Sequence, residues 1–163
     1  MEYINLVNDA NPMLALLIKH EEAIADLYAS CSHAFPREKD FWLSLVIEEK
    51  AHVHVLFELE QYISARKVHL NTRKFNAAAV STAIGYVNSQ KQRVSTGQCS
   101  LIQTLVIALD IERAIIEKDF FEVFESDLAV IKHEFRELRN HTAEHAKRIA
   151  TMIETEKQKS GHT

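Results

Sequence analysis

The chain has 163 residues, of which 47% are hydrophobic and 26% are charged, and its net charge is −4 with histidine neutral. A chain of this length suits a single domain over residues 1–163 with a hydrophobic core of its own. Because the net charge is negative and no dense block of basic residues occurs, we expect no nucleic-acid partner.

The first part of the chain lacks the pattern of a secretion signal or a membrane span. It has no basic segment at its start, and its apolar run ends at Lys19 and the acidic pair Glu21 and Glu22. We therefore expect no membrane partner. The two cysteines, Cys31 and Cys99, are too few for a disulfide framework or a thiolate zinc site, and this favours a reducing cytoplasm.

Glycine and proline are scarce, and no alternating strand pattern stands out. The sequence therefore predicts an all-α protein. Apolar periodicity predicts four long helices, over residues 12–33, 36–66, 98–125 and 127–158. Pro12 and Pro36 are predicted to open the first two helices. Ser100 and Gln103 have the spacing of a capping box, and the polar tail, residues 156–163, is expected to fray.

Short turns join the first helix to the second and the third to the fourth, so each pair is predicted to be antiparallel. A longer link between the second and third helices is predicted to carry a short helix around residues 74–92. A link of this length reaches back along a bundle of such helices. The predicted fold is an antiparallel four-helix bundle with a long crossover between its second and third helices.

The inward stripe of each predicted helix is apolar except near its middle. Steps of three and four residues place one or two polar residues in each stripe, namely Glu21, then Glu49 and His52, then Glu112, and last His145. An ionised carboxylate in an apolar core has to be paired or bound to a metal ion. Four interruptions at comparable depth therefore indicate one polar centre shared by the four helices.

The second half of the chain repeats this pattern. Glu112 follows Glu21 at nearly the same separation as His145 follows His52. A duplicated helix hairpin with approximate two-fold symmetry would produce such a repeat.

A glutamate on one helix and Glu-x-x-His on the next, occurring twice, is the ligand plan of ferritin-like di-iron carboxylate proteins. The chain resembles the rubrerythrin-like branch of that superfamily over nearly its whole length, through "HEEAIADLY", "IEEKAHVHVL", "ALDIERAIIEKDFF" and "NHTAEHAKRI". The resemblance implies a ferritin-like bundle with two iron ions. The implied metal ligands are Glu21, Glu49, His52, Glu112 and His145.

One departure from the family pattern concerns the fourth helix, where Thr142 stands in place of the family's glutamate. Three glutamates then face the four positive charges of two ferrous ions, so the second metal position should bind more weakly, need an outside ligand or stay empty. His141 lies one turn before His145 and is a candidate substitute. Glu144 points about 100° away from His145 on a helix and would need distortion to reach the centre.

A second departure is that the chain has no paired CxxC motifs, which form the rubredoxin module of rubrerythrins proper. The resemblance therefore implies a separate electron donor.

Some assignments stay open on the residues alone. A stripe rotated by one position would replace Glu21 by Glu22, and Glu48 also lies within one turn of His52. Tyr28 lies two turns from Glu21, about 10 Å along a helix, which is too far to share a metal ion but leaves it as a candidate hydrogen-bonding partner within the centre.

Other polar and aromatic residues receive ordinary interpretations. Asp119, two turns from Glu112 in the predicted third helix, is likewise too far away to share its metal ion. A set of histidines is interpreted as surface or boundary residues: His20, His33, His54, His69 and His133. A run of apolar residues after Asp119 is interpreted as core or dimer contacts: Phe120, Phe121, Val123 and Phe124. The apolar residues flanking the third helix favour a homodimer.

The resemblance implies a non-haem iron protein that reduces peroxide or oxygen or oxidises ferrous ion, and whether the chain is an enzyme is left open. One alternative is a single zinc, manganese or iron ion, because histidine and carboxylate ligands suit all three metals. Another is a metal-free bundle whose polar residues satisfy one another. An iron-storage shell is a further possibility that rests on the bundle resemblance alone.

Overall fold

The computed structural model describes residues 3–65, 69–70 and 76–161, with the backbone alone at residues 3–11, 69–70 and 123. It confirms the prediction of an all-α protein. Five helices make up most of the described chain: α1 Tyr3–Ala34, α2 Lys39–Ser64, α3 Ala77–Ser95, α4 Leu101–Glu117 and α5 Ala129–Ser160. Two short 3-10 helices span Pro36–Glu38 and Phe120–Val123. The two-residue strands β1 His69–Leu70 and β2 Phe124–Glu125 pair antiparallel.

The first helix is longer than predicted. It begins at Tyr3, and Pro12 lies inside it, so the prediction that Pro12 opens the helix is wrong. Proline lacks an N–H and removes one helical hydrogen bond. The helix nevertheless continues on both sides of Pro12. Pro36 does open a helical segment, the short 3-10 helix before α2, as predicted.

The predicted third helix, residues 98–125, ends early, because α4 stops at Glu117. Asp119 adopts φ 48°, a left-handed conformation that ends a right-handed helix and that aspartate tolerates better than most residues. Asp119 therefore does not belong to a helical stripe. At the other end of α4, Ser100 and Gln103 form the predicted capping box.

The helix in the long link is displaced and is not short. It was predicted around residues 74–92, whereas α3 has 19 residues and begins after Asn76, whose side chain accepts a hydrogen bond from the N–H of Ala79 at 3.0 Å. Residues 66–68 and 71–75 of the link lie outside the described part of the chain. The crossover within a four-helix bundle therefore stays a prediction.

The helices pack in a pattern that places polar residues at the centre. α1 packs against α2 and α3, and α4 packs against α5. The short connection of α1 to α2 makes these neighbours antiparallel. The aromatic run after Asp119 joins the core as interpreted, since Phe120, Phe121 and Phe124 are buried, while the side chain of Val123 is outside the described part.

Of the helices described, none has the length and apolar content needed to cross a membrane. Cys31 and Cys99 are both buried free thiols. The expected cytoplasmic location and the homodimer stay predictions.

Candidate metal centre

The five residues that the stripes single out come together in one buried cluster. They form two groups of three that share Glu49. The first group is Glu21, Glu49 and His52, and the second is Glu49, Glu112 and His145. Within each group the ligand atoms lie within 4.8 Å of one another. The structure thus brings all five predicted residues together, and their role as metal ligands stays a prediction.

The cluster forms because four helices each present one part of it. Glu49 and His52 lie three residues apart on α2, which puts their side chains on one face of the helix. Glu21 comes from α1, Glu112 from α4 and His145 from α5. α1 packs against α2, α4 packs against α5, and α2 also contacts α5, so the two groups meet at Glu49.

Distances in the first group are those expected between ligands of one ion. His52 Nδ1 lies 3.2 Å from Glu21 Oε2 and 3.1 Å from Glu49 Oε2. Two atoms bound to one ion at about 2.0–2.2 Å, at angles between octahedral and tetrahedral, lie roughly 2.9–3.5 Å apart. Hydrogen bonds have the same lengths, so the three residues could hold either a proton or a metal ion.

The second group uses the other oxygen of the shared carboxylate. His145 Nδ1 lies 2.8 Å from Glu49 Oε1 and 3.5 Å from Glu112 Oε1. Glu49 therefore directs Oε2 to one histidine and Oε1 to the other, so a single carboxylate contacts both groups.

Several polar atoms of the cluster are buried without a well-directed hydrogen bond to the described residues, although two of them, Glu49 Oε1 and His145 Nδ1, lie 2.8 Å apart: Glu21 Oε1, Glu49 Oε1, Glu112 Oε2, His52 Nε2 and His145 Nδ1. A buried polar atom without a partner is unfavourable by about 1–3 kcal/mol. Apart from His52 Nε2, these atoms belong to the facing sets of carboxylates and imidazoles. A cation between them would satisfy them, so the residues present fit a metal ion.

A carboxylate outside the cluster orients His145. Arg148 donates to both oxygens of Glu48, at 2.7 and 2.9 Å. Partial burial favours protonation of Glu48, but the hydrogen bonds from Arg148 and His145 outweigh it and lower the pKa of Glu48. The ionised Glu48 accepts from His145 Nε2 at 2.6 Å. In a neutral His145 the proton is on Nε2, so the lone pair of Nδ1 faces Glu49 and Glu112. That lone pair and the carboxylate oxygens repel each other unless a proton or a metal ion lies between them.

In the absence of metal, protons lie between the imidazole nitrogens and the carboxylate oxygens. Burial disfavours both imidazolium ions, but the carboxylates around them outweigh burial and raise the pKa of His52 to about 10 and the pKa of His145 to about 11. Burial and the negative charges of Glu112 and Glu21 raise the pKa of Glu49 to about 7. Burial would likewise raise the pKa of Glu21, but the neighbouring imidazoles of His20 and His52 hold it far below its usual range.

Tyr28 does hydrogen-bond within the centre, as the sequence suggested. Its hydroxyl donates to Glu112 Oε1 at 2.5 Å. Burial and the negative charges of Glu112 and Glu49 raise the pKa of Tyr28 well above its usual value, so the hydroxyl keeps its proton. Tyr28 therefore fixes one oxygen of Glu112 and leaves the other free for a ligand.

The open choices between neighbouring glutamates are decided by burial. Glu22 is exposed, whereas Glu21 is buried. Glu48 is 40% exposed at its side chain and contacts the outer nitrogen of His145, whereas Glu49 lies inside the cluster.

Neither candidate substitute supplies the missing carboxylate. His141 is exposed and stacks on His52 with ring centroids 5.6 Å apart. Glu144 is exposed and lies 3.9 Å from Lys147. Thr142 is buried, and its hydroxyl donates to the carbonyl of Leu138 at 2.9 Å.

The interpretation of His20 as a surface or boundary residue is wrong. His20 is 2% exposed, and its Nδ1 lies 3.5 Å from Glu21 Oε1. Its spacing was an available signal, since His20 lies three residues after the buried Leu17 and four before the buried Ile24. The sequence carries no comparable signal for the contact of His145 with Glu48.

The other histidines interpreted as ordinary behave as expected where they are described. His33, His54 and His133 are exposed, and the side chain of His69 lies outside the described part.

Metal binding is expected to release protons and to tighten as the pH rises. His52 and His145, with pKa values raised to about 10 and about 11, are protonated at neutral pH, and a metal ion has to displace those protons. Calorimetric titration with zinc ion at about pH 6 and about pH 8, in buffers of different ionisation enthalpy, measures both effects. The matched control is His54→Gln, which removes an exposed histidine of α2. An affinity without pH dependence or proton release would contradict this expectation.

No family model matches this chain, and no curated protein or solved structure matches it. The resemblance to rubrerythrin-like proteins therefore stays a prediction from the motifs. The function has to be inferred from the chemistry of the buried cluster.

Proposed function

We propose that this chain binds two divalent metal ions in the buried cluster, bridged by the Glu49 carboxylate, and uses iron there for rubrerythrin-like redox chemistry. The observation that carries the proposal is the division of Glu49 between the two groups. Oε2 lies 3.1 Å from His52 Nδ1, and Oε1 lies 2.8 Å from His145 Nδ1.

The proposed architecture is a ferritin-like four-helix bundle made of α1, α2, α4 and α5, with α3 in the crossover. Two observations support it. Each of the four helices contributes a residue to the cluster, and the pairs α1 with α2 and α4 with α5 pack together.

The charge and the ligand types bear on the number and the identity of the metal ions. Three carboxylates leave one positive charge uncompensated when two divalent ions are bound, so one position is proposed to bind more weakly than the other. Iron is the proposed metal, and zinc and manganese also suit a set of carboxylates and imidazoles. The buried Thr142 adds no charge.

The proposed activity is reduction of peroxide or oxygen, or oxidation of ferrous ion. Bound iron would supply a Lewis acid and a one-electron redox couple. The chain's own residues hold the ligands in place: Tyr28 donates to Glu112, and the ionised Glu48 orients His145. Since the chain contains two cysteines in all, we propose that electrons come from a separate donor.

A metal-free structural cluster is the second candidate, and the raised pKa values of His52 and His145 favour it. Two imidazolium ions against three carboxylates leave a small net charge, and the groups then satisfy one another. The cluster would in that case stabilise the fold and bind no metal. A single bound zinc or manganese ion is intermediate between the two.

Substitution of single ligands is expected to separate these candidates. Because Glu49 belongs to both groups, Glu49→Gln should lower the bound metal from about two ions per chain to nearly none, whereas Glu21→Gln and Glu112→Gln should each leave about one. Elemental analysis after anaerobic loading with ferrous ion and gel filtration measures this.

The matched control for metal content is Glu58→Gln, because Glu58 is an exposed glutamate of α2 that pairs with His54 at 3.3 Å. It should bind as much metal as the unchanged chain. Equal metal content in Glu49→Gln and the unchanged chain would refute the bridge, and no metal in any of the proteins would favour the metal-free cluster.

The redox proposal predicts that the ferrous-loaded protein is oxidised by hydrogen peroxide at least about ten times faster than free ferrous ion at the same concentration. Stopped-flow absorption spectroscopy follows the reaction. Glu58→Gln should react like the unchanged chain. Oxidation no faster than that of free ferrous ion, in a protein shown to hold two ions, would remove the peroxidase proposal and leave the metal site standing.

A further inference from the structure

A pocket lies between α3 and α4, beside the metal cluster and separate from it. Its volume is about 330 Å³. Ligand sites in proteins have volumes of roughly 300–1,000 Å³, so the pocket is large enough for a small organic molecule. At about 30 Å³ per water molecule, this is the space of roughly eleven water molecules.

The walls of the pocket are mainly apolar. The apolar lining residues are Ala83, Val87, Ile111, Ala114, Ile115 and Phe120. Tyr86 also lines it and is 45% exposed, so part of its surface is accessible to a bound molecule. Together with Phe120 and His20, it gives the pocket three rings against which a planar molecule can pack.

The inner end of the pocket is His20. Its ring lies edge-on to Phe120 with centroids 5.3 Å apart, and its Nδ1 is 3.5 Å from Glu21 Oε1 without forming a hydrogen bond. Because Glu21 belongs to the first metal group, a single imidazole separates the pocket from the cluster. A molecule in the pocket would therefore contact a side chain that touches a candidate metal ligand.

The polar groups of the pocket indicate the charge of its occupant. Asp110 and Lys118 carry opposite charges, and the hydroxyls of Thr82 and Tyr86 offer hydrogen bonds. The lining thus carries no net charge apart from His20. An ionic group in the apolar part would lose its hydration without a matching partner.

We propose that this pocket binds an uncharged, mainly apolar aromatic molecule with a single hydroxyl group, about the size of two fused rings. Its role as a substrate or effector of the metal centre rests on the proposed function, whereas its binding does not require metal. The rings of Tyr86 and Phe120 pack against the aromatic part, and the molecule reaches the ring of His20.

The probe is 2-naphthol, titrated into metal-free and metal-loaded protein by calorimetry. A dissociation constant between about 10 µM and 1 mM is expected for a molecule of this size in both forms. Naphthalene-2-sulfonate, in which an anionic sulfonate replaces the hydroxyl, should bind at least about tenfold more weakly. In NMR spectra, 2-naphthol should shift the ring signals of His20 and leave those of the exposed His54 unchanged.

Two variants fill the pocket from opposite walls, Ala114→Trp on α4 and Ala83→Trp on α3, so that one remains if the other fails to fold. Each should weaken 2-naphthol binding at least about tenfold. The matched control is Ala129→Trp, because Ala129 is exposed at the start of α5 and lines neither the pocket nor the cluster.

Binding that survives both variants, equal affinity for the sulfonate, or unshifted His20 signals would overturn the proposal. The absence of 2-naphthol binding would also overturn it. If Ala114→Trp then changed the native mass, the pocket would belong to an interface between copies of the chain. If the chain bound 2-naphthol but no metal, the ligand pocket would be supported and the proposed metal centre would be refuted.

Discussion

The candidate metal centre is organised around the contact of one buried carboxylate with two imidazoles. Glu49 directs Oε2 to His52 and Oε1 to His145, and all three side chains are almost entirely buried. Removed from water, carboxylates that face one another repel unless protons or metal ions lie between them. The carboxylates raise the pKa values of His52 and His145, and contacts of 2.8–3.5 Å bring His145 close to two of these carboxylates. Both observations show that positive charge is favoured beside the two imidazoles.

The surrounding side chains limit how the requirement can be met. Tyr28 occupies one oxygen of Glu112, and Glu48, held ionised by Arg148, occupies the outer nitrogen of His145. These contacts turn the remaining donor atoms inward. Each of these contacts is made by the chain's own side chains, and each fixes the orientation of a candidate ligand.

Features that depend on short spacings along a helix, such as which side chains share a face, could be predicted from the sequence. Features that depend on one dihedral angle or on contacts between distant residues could not. Glu49 and His52 could be placed on one face because helical periodicity is local. The end of α4 could not be predicted, because it depends on the left-handed conformation of Asp119. The pairing of His145 with Glu48 joins α5 to α2 far away in sequence, and helical periodicity does not encode such contacts. His20 follows the apolar spacing of α1, so its burial was predictable from the sequence.

The most direct test is diffraction from crystals loaded anaerobically with ferrous ion, with data recorded at the iron absorption edge. The account predicts two anomalous peaks roughly 3.5–4 Å apart, with the Glu49 carboxylate between them. One peak, or none in the cluster, would contradict the shared carboxylate as a bridge between two metal ions.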